Sequence, residues 1–151
     1  MNMERCLAQI REACPGHELQ VTTLPIDETV VELPPACLKP VVAALFEQGT
    51  VDHLSTITGQ DVGDAIQLLY HFWKGNGLTL RTSLPRQKST IHSLTDLIPG
   101  AAFYEREVAE MLDVIFAGHP GPAGLLLPDD WDGSSPLRTE FTPPSSKEKP
   151  T

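Results

Sequence analysis

Prolines crowd the last 34 residues of this chain and limit the structure that this segment can adopt. Seven of the fourteen prolines and four of the eleven glycines lie between Gly118 and Thr151. A proline lacks the backbone N–H that a helix interior or a central strand needs, so this part is unsuited to either. It still contains the apolar stretches GLLLPDDW and PLRTEF, which are awkward to leave in water. We therefore predict an extended arm over residues 118–142, lying on its own surface or a partner's, and a disordered tail over 143–151.

The first 117 residues carry the patterns of a folded domain. Apolar residues recur at helical spacing behind Asn2, a favourable N-cap, and again from Pro34 and Pro35 as far as Gly49. Five stretches are typical of strands separated by turns: ELQVTTL, ETVVEL, VDHLSTITG, AIQLLYHF and LTLRTSL. The order of these elements predicts an α+β fold for residues 1–117, a two-layer α/β arrangement with helices packed on a mixed, largely antiparallel sheet.

Two more helices are expected between the last of these strands and the arm. Ser93 and Asp96 have a spacing like that of a capping box, which predicts a short helix ended by a Pro-Gly pair. From Phe103 to Phe116 the apolar residues again follow helical steps. The predicted buried stripe of that helix consists of Tyr104, Val108, Met111 and Ile115. Its predicted solvated face carries Arg106, Glu110 and Asp113.

The acidic balance of the chain excludes two classes of partner. Twenty Asp and Glu against eleven Lys and Arg give a formal net charge of −9, which repels nucleic-acid phosphates and anionic lipid headgroups. No apolar run approaches the ~18 residues of a membrane-spanning helix, and the charges near the start are unlike a signal peptide. We expect a soluble, non-exported chain that has no nucleic-acid partner.

The three cysteines, Cys6, Cys14 and Cys37, indicate no metal or disulfide framework. Their number is odd, and no pair of them has a CxxC or similar spacing. The pattern favours buried small hydrophobic residues over a disulfide framework, a zinc knuckle or an iron–sulfur cluster.

The stretch FYEREVAEML sets Glu105, Arg106 and Glu107 side by side and raises the question of acid–base chemistry. Side chains two residues apart on a helix point about 200° apart, so the two carboxylates are poorly placed to share a substrate. A solvated helix face, with acids that suit the helix dipole, explains the triplet without any chemistry.

Other chemical signatures are missing from the sequence. The acidic PDDWD together with His119 matches no metal-ligand spacing, and GNG and GHPGPAG match no phosphate-binding loop. No GxSxG is present. His53 and His71 are interpreted as structural histidines. We predict no catalytic residue, no metal ligand and no cofactor in this chain.

Six pieces in order, spread over the segment from His53 to Arg138, resemble a known family. They are HLSTITGQD, LLYHF, IPGAAFYEREVAEML, FAGHP, LLLPDDW and PLR. This set resembles the 30-kDa, or C, subunit of respiratory NADH-quinone oxidoreductase (complex I), with its relatives in membrane-bound [NiFe] hydrogenases.

The resemblance implies a peripheral scaffold subunit with no redox centre of its own. In that family the subunit docks on the large subunit that forms the quinone site or holds the nickel–iron centre, and a small iron–sulfur subunit belongs to the same complex. The resemblance therefore implies a place on the cytoplasmic side of the membrane, with membrane association only through the complex. It also implies that the proline-rich arm extends over the large subunit.

Twelve residues are predicted to form the partner interface. The acid–base–acid triplet offers charge-assisted hydrogen bonds, prolines fix the path of the arm, and tryptophan and arginine are common interface anchors. The predicted set is Glu105, Arg106, Glu107, His119, Pro120, Pro128, Asp129, Asp130, Trp131, Pro136, Leu137 and Arg138.

Three departures from the family pattern keep the specific assembly open. Residues Ala109 to Asp113 stand where the family commonly has YDMFG or YDLFG, and Gly121 to Gly124 stand where the complex I form has two arginines. The family's HPLRKD has become SSPLRTE. Since basic contacts are lost at two places, the equivalent subunit of a [NiFe] hydrogenase is a serious alternative.

Two alternatives of another class also stay open at this point. One is a stand-alone metal-dependent hydrolase that uses His119, Asp129 and Asp130. The other is a stand-alone acidic adaptor module unconnected with redox chemistry.

Overall fold

The computed structural model describes residues 1–121, 124–131 and 133–143. Within these residues the helices are α1 (Met3–Ala13), α2 (Pro35–Glu47) and α3 (Ala101–Leu112). The strands are β1 (Gln20–Leu24), β2 (Glu28–Glu32), β3 (Leu54–Asp61), β4 (Ala65–Trp73), β5 (Gly77–Pro85), β6 (Thr90–His92) and β7 (Ile115–Ala117). None of the helices in the described ranges has the length and apolarity needed to cross a membrane.

Five strands form one sheet in the order β1-β2-β5-β4-β3. All neighbours are antiparallel except β2 and β5, which run parallel with Val31 beside Leu80. The exception arises because α2 and the β3–β4 hairpin intervene between β2 and β5. The predicted α+β fold with a mixed, largely antiparallel sheet is confirmed.

One face of the sheet forms the core. In β4 the buried residues Ile66, Leu68, Tyr70 and Phe72 alternate with half-buried ones, as the two-residue period of a strand requires. The same cluster includes Ile10 of α1, Leu38 and Val41 of α2, and Val108 of α3. The opposite face is polar and bears no helix from the described residues; on it His71 Nδ1 lies 2.8 Å from Thr79 Oγ1.

The starts of α1 and α2 follow the sequence signals. The Asn2 side chain accepts a hydrogen bond of 3.0 Å from the backbone N–H of Arg5, which confirms the predicted N-cap. Helix α2 begins at Pro35, directly after Pro34, and Gly49 follows its end with a φ of 64°.

The region from Ser93 to Phe116 corrects two predictions. Ser93 to Asp96 form no helix, because the Ser93 hydroxyl is used in a tertiary contact described below. Helix α3 ends at Leu112 rather than Phe116, because Asp113 adopts a left-handed conformation with a φ of 56°. Ile115 therefore lies in β7, where it is exposed, and not on the buried stripe of the helix. The parallel pair β6–β7 was not predicted from the sequence.

The cysteines also differ from the prediction. Cys6, Cys14 and Cys37 are buried as expected, but Cys14 and Cys37 form a disulfide with a Cα–Cα distance of 5.4 Å. Their 23-residue separation hides this pairing in the sequence, since it depends on how the end of α1 meets the start of α2. Cys6 is free, and burial raises its pKa to about 11.

The described residues of the arm form no helix or strand, only turns and irregular segments. The predicted bounds of the arm and tail remain a prediction. All of the tail except Pro143 lies outside the described residues.

Candidate partner-binding site

Helix α3 lies directly against strand β3 because Gly59 leaves room for it. A Cβ atom placed on Gly59 would lie 3.2 Å from Val108 Cγ1 and would overlap Leu112 Cδ1. Both of these side chains are buried. The missing side chain in β3 thus sets how closely the charged helix approaches the sheet.

Glu105 is fully buried and belongs to the domain interior. One of its oxygens accepts a hydrogen bond of 2.6 Å from the Ser93 hydroxyl, and the other accepts one of 2.7 Å from the backbone N–H of Leu94. Burial raises the pKa of Glu105, and these two hydrogen bonds offset only part of the rise. The predicted bonds from Glu105 to the arm or a partner are corrected: Glu105 fixes the loop before α3.

Glu110 holds the arm, although the sequence placed it on a solvated face. Its two carboxylate oxygens accept hydrogen bonds from three consecutive backbone N–H groups, those of Leu125 (3.1 Å), Leu126 (2.8 Å) and Leu127 (2.7 Å). Partial desolvation pushes the pKa of Glu110 up, but the three donors and the nearby Arg106 charge outweigh it, so the pKa is lowered. A negative charge cradled by successive amides is a strong local anchor.

Arg106 and His119 fix the first part of the arm. Arg106 Nη2 donates a hydrogen bond of 3.0 Å to the carbonyl of Gly124. His119 Nε2 lies 3.1 Å from the carbonyl of Ala102 in α3, and its Nδ1 accepts from the backbone N–H of Gly121 at 3.1 Å. A proton on Nε2 satisfies both of these histidine contacts. Of the predicted triplet, Arg106 alone binds the arm within the described residues.

Leu137 and Arg138 attach the arm to the other end of α3. The backbone N–H of Leu137 donates to the carbonyl of Met111 at 2.9 Å. The Arg138 guanidinium donates to the carbonyls of Leu112 (2.5 Å) and Arg86 (3.1 Å). Because the last carbonyls of a helix lack intrahelical donors, this arginine acts as a C-terminal cap for α3.

Beyond Arg138, a three-residue polar cluster holds the arm. Arg86 forms ion pairs with Asp61 at the end of β3 and with Glu140 of the arm. Asp61 also accepts a hydrogen bond of 2.9 Å from the backbone N–H of Thr139. That bond, the N–H of Gly63 and the Arg86 charge hold the pKa of Asp61 well below its usual range, despite desolvation. No sequence pattern joins positions this far apart, so the cluster was not foreseen.

Trp131 packs within the arm. Its ring stacks on that of Phe141, with centroids 6.1 Å apart and planes 18° apart. The backbone N–H of Trp131 donates to the carbonyl of Pro128 at 2.9 Å, which closes a turn. This aromatic pair gives the arm an apolar core of its own.

The remaining predicted interface residues point mostly to solvent. Glu107, Pro120, Pro128, Asp129 and Asp130 are exposed, and Pro136 is half-buried. Large apolar side chains are exposed beside them on α3, β7 and the arm. The exposed set comprises Phe103 (64%), Ile115 (61%), Leu126 (59%) and Leu137 (57%). We call these four residues the apolar set.

The residues proposed for a hydrolase site do not form one. Both ring nitrogens of His119 contact backbone atoms, while Asp129 and Asp130 are exposed on a turn. Within the described ranges, three or more ligand-type side chains come together only at Cys14, His17 and Cys37. Glu105 and Glu107 face opposite environments, one buried and one exposed, as their spacing predicted.

Comparison with known proteins matches the chain to one family over most of its length. Residues 31–147 match the family described as "Respiratory-chain NADH dehydrogenase, 30 Kd subunit". The C subunit of NADH-quinone oxidoreductase from Roseiflexus castenholzii is 35% identical over 77 residues, which cover 49% of this chain and 44% of that protein. The C subunit of F(420)H(2) dehydrogenase from Methanosarcina mazei is 35% identical over 95 residues, 60% of each chain. The chain thus spans about half the length of these relatives.

A solved structure shares the fold. A chain of the membrane-bound sulfane sulfur reductase, described as an archaeal respiratory membrane complex, superimposes with a TM-score of 0.78 at 21% identity. The superposition covers 94% of this chain and 86% of that one. At this identity the likeness concerns the fold alone.

Proposed function

Because the chain belongs to the family of the respiratory-chain NADH dehydrogenase 30 Kd subunit, we propose that it is a non-redox scaffold subunit of a complex-I-like oxidoreductase. In this role it docks on the large quinone-site subunit and supports electron transfer by assembly. It carries no electrons itself. Its membrane association is peripheral, on the cytoplasmic side, and depends on the complex.

The observation that carries this proposal is an arm fixed by polar bonds, beside which apolar side chains are exposed. Glu110, Arg106 and Arg138 fix the arm backbone along α3. The apolar set on and beside it stays more than half exposed. Ordering a segment costs conformational entropy, and an isolated domain gains nothing in return for it. A binding surface that is already ordered does not lose this entropy when the partner binds. The arrangement therefore supports docking of a protein partner.

A cavity beside the arm adds a place for a partner side chain. It has a volume of about 300 Å³ and lies between α3, β7 and the first residues of the arm. Its lining includes Arg106, Ala109, Ile115, Phe116 and His119. Because the lining also includes the carboxylates of Glu105 and Asp113, this partly apolar pocket suits an apolar anchor residue, since interface anchors fill desolvated pockets.

In our proposal, this chain does not determine which electron donor the complex uses. The two relatives described above belong, by their names, to dehydrogenases with different donors, NADH in one and F(420)H(2) in the other. A scaffold that binds the large subunit is compatible with either. We propose that a small iron–sulfur subunit belongs to the same complex.

The equivalent subunit of a membrane-bound [NiFe] hydrogenase is the second candidate. It is favoured by the uncharged segment from Gly121 to Gly124, which replaces the arginine pair of the complex I form. Two CxxC pairs in the neighbouring large subunit would identify the hydrogenase, and their absence the quinone enzyme.

Isolation of the tagged full chain from its native membranes in mild detergent tests the proposal. Mass spectrometry should find the large subunit and an iron–sulfur subunit in amounts equal to the chain. Isolation of the chain alone, under conditions in which the respiratory complexes stay intact, would overturn it.

A further inference from the structure

Three potential metal ligands meet where α1 ends and α2 begins. The Sγ atoms of Cys14 and Cys37 and a ring nitrogen of His17 all lie within 4.8 Å of one another. Cys14 and Cys37 are buried, whereas His17 is exposed, which leaves a path from solvent. Cys14 and His17 precede the span that matches the family, so family membership does not predict this cluster.

The local chain geometry explains why the three residues meet. Cys14 is the C-cap residue of α1, and the Pro15-Gly16 turn that follows has a φ of 79° at Gly16. This left-handed conformation suits glycine and folds the chain so that His17 lies beside Cys14. Cys37 comes from α2, with its Cα 5.4 Å from that of Cys14. Two ligands close together on a turn and a third from another element are typical of zinc sites.

The start of α2 favours negative charge on Cys37. Cys37 is the third residue of the helix, whose N-cap makes no side-chain hydrogen bond and whose first turn contains no acidic residue. The positive end of a helix dipole stabilises a thiolate, which is the form that binds metals. Two buried thiolates without a cation would be costly, so a bound divalent ion would compensate their charge.

We propose that the reduced chain binds one zinc-class divalent cation through the thiolates of Cys14 and Cys37 and the imidazole of His17. A water molecule completes the tetrahedron, since zinc with three protein ligands keeps one open position. Zinc–sulfur bonds of about 2.3 Å place the two sulfurs about 3.8 Å apart, which cysteine side chains reach by rotation.

The disulfide and the metal site are alternative states of the same two cysteines. A low-molecular-weight disulfide oxidises the two thiolates: one attacks it, the other closes the Cys14–Cys37 bond, and two protons convert the released thiolates to thiols. The two electrons thus pass from the cysteines to the oxidant. The metal ion leaves, because a disulfide sulfur carries no thiolate charge. This site is independent of the scaffold function proposed above.

Metal titration of the full chain, reduced with a phosphine that does not bind zinc, tests the proposal. Cobalt(II) should bind one ion per chain and give thiolate-to-cobalt absorption, and zinc should displace it. His17→Ala should weaken binding by about tenfold or more, and Cys37→Ser, which leaves only the Cys14 thiolate, should weaken binding and reduce the thiolate absorption. Cys6→Ser and His92→Ala, which alter a cysteine and a histidine outside the cluster, should leave the affinity unchanged.

Alkylation of the unaltered chain gives a second readout that does not depend on variant folding. Zinc should protect Cys14 and Cys37 of the reduced chain from a thiol reagent, as located by peptide mass spectrometry. Absence of stoichiometric binding by the reduced chain would overturn the proposal. The proposal would also be overturned if Cys6→Ser weakened metal binding as much as His17→Ala does. The same holds if zinc left the alkylation of Cys14 and Cys37 unchanged.

Discussion

Glu105 and Glu110 lie five residues apart on α3, but their carboxylates meet opposite environments. Glu105 is enclosed in the domain and receives two hydrogen bonds from the Ser93–Leu94 segment. Glu110 lies at the surface and receives three from the arm. Burial raises the pKa of the first, and the arm amides lower that of the second. Each residue therefore predicts a different response to mutation and pH.

Removal of the Glu105 carboxylate should destabilise the domain. Glu105→Ala leaves a cavity and two buried donors without partners, so we expect the free energy of unfolding to fall by about 2–4 kcal/mol. Glu105→Gln keeps an acceptor and should cost about 1 kcal/mol or less at neutral pH. Urea denaturation of both variants measures the difference. Equal stability of the alanine and glutamine variants would contradict the assigned hydrogen bonds.

The raised pKa of Glu105 also predicts a sign for the pH dependence. Between the ordinary carboxyl pKa and the raised pKa of the folded state, the folded chain binds more protons than the unfolded chain. The free energy of unfolding should therefore fall as pH rises through that window. Denaturation at several pH values should show that the free energy of unfolding falls less with rising pH in Glu105→Gln than in the unaltered chain. The same dependence on pH in both chains would contradict this interpretation.

Glu110 should control the local stability of the arm. Because Glu110→Ala removes a charged acceptor shared by three amides, hydrogen exchange at Leu125 to Leu127 should speed up by about tenfold. Since the pKa of Glu110 is lowered, the contact should be complete above the ordinary carboxyl pKa and be lost as pH falls through the lowered one. Glu107→Ala, an exposed acid on the same helix, is the matched control. Exchange equally fast in both variants would refute the anchor.

The sequence located these acids but not their partners. Periodicity places Glu110 on the face opposite the core, yet it cannot show that a later segment returns to that face. Glu105 lies next to the apolar stripe, and only the loop carrying Ser93 explains how a carboxylate can be buried there. Burial of a charged residue is a tertiary property, because it depends on donors distant in the chain.

At the level of elements, the contact between α3 and β3 depends on Gly59. Gly59→Ala should force Leu112 or the helix to shift and lower the free energy of unfolding by about 1–3 kcal/mol. Gly100→Ala is the control, since a Cβ there meets nothing within 4 Å and its φ is −64°. Thermal unfolding of the two variants measures the effect. Equal melting temperatures would show that the close approach does not matter.

The cluster around Arg86 should decide whether the end of the arm stays attached. Arg86→Ala removes the ion pairs to Asp61 and Glu140, so thermolysin should cleave near Leu137 several times faster than in the unaltered chain. Arg81→Ala also removes an ion pair, to Glu32 on the open face of the sheet, and should not change the cleavage rate. Equal rates in the two variants would contradict the role of the cluster.

Helices and strands with strong local sequence signals could be predicted. Very short strands, and helix ends that depend on tertiary contacts, could not. Asn2 marks the start of α1, and the segment from Pro34 and Pro35 to Gly49 marks α2, which the structure confirms. Strands β6 and β7 have three residues each, too few to show a period. The end of α3 was missed because Asp113, not a glycine, takes the left-handed position while the apolar spacing continues to Ile115.

At the level of the whole molecule, the arm has two kinds of side chain with different roles. Polar side chains attach it to the domain, and exposed apolar side chains are available to a partner. Glu110, Arg138 and the Arg86 cluster hold it on the domain through buried or half-buried polar groups. The four residues of the apolar set stay exposed to solvent. An acidic chain that repels lipid headgroups still reaches the membrane if these residues bind a membrane-bound partner. This division of tasks is the central claim of the scaffold proposal.

Co-isolation of surface variants with the large subunit tests that claim most directly. Leu126→Asp and Phe103→Asp place a charge in the proposed interface, whereas Ile26→Asp alters the more exposed Ile26 (71%) in the β1–β2 turn. All three chains should fold, because these side chains are already in solvent. We predict that the first two variants lose the large subunit from the isolated complex and that Ile26→Asp retains it. Full retention by Leu126→Asp and Phe103→Asp would contradict the account.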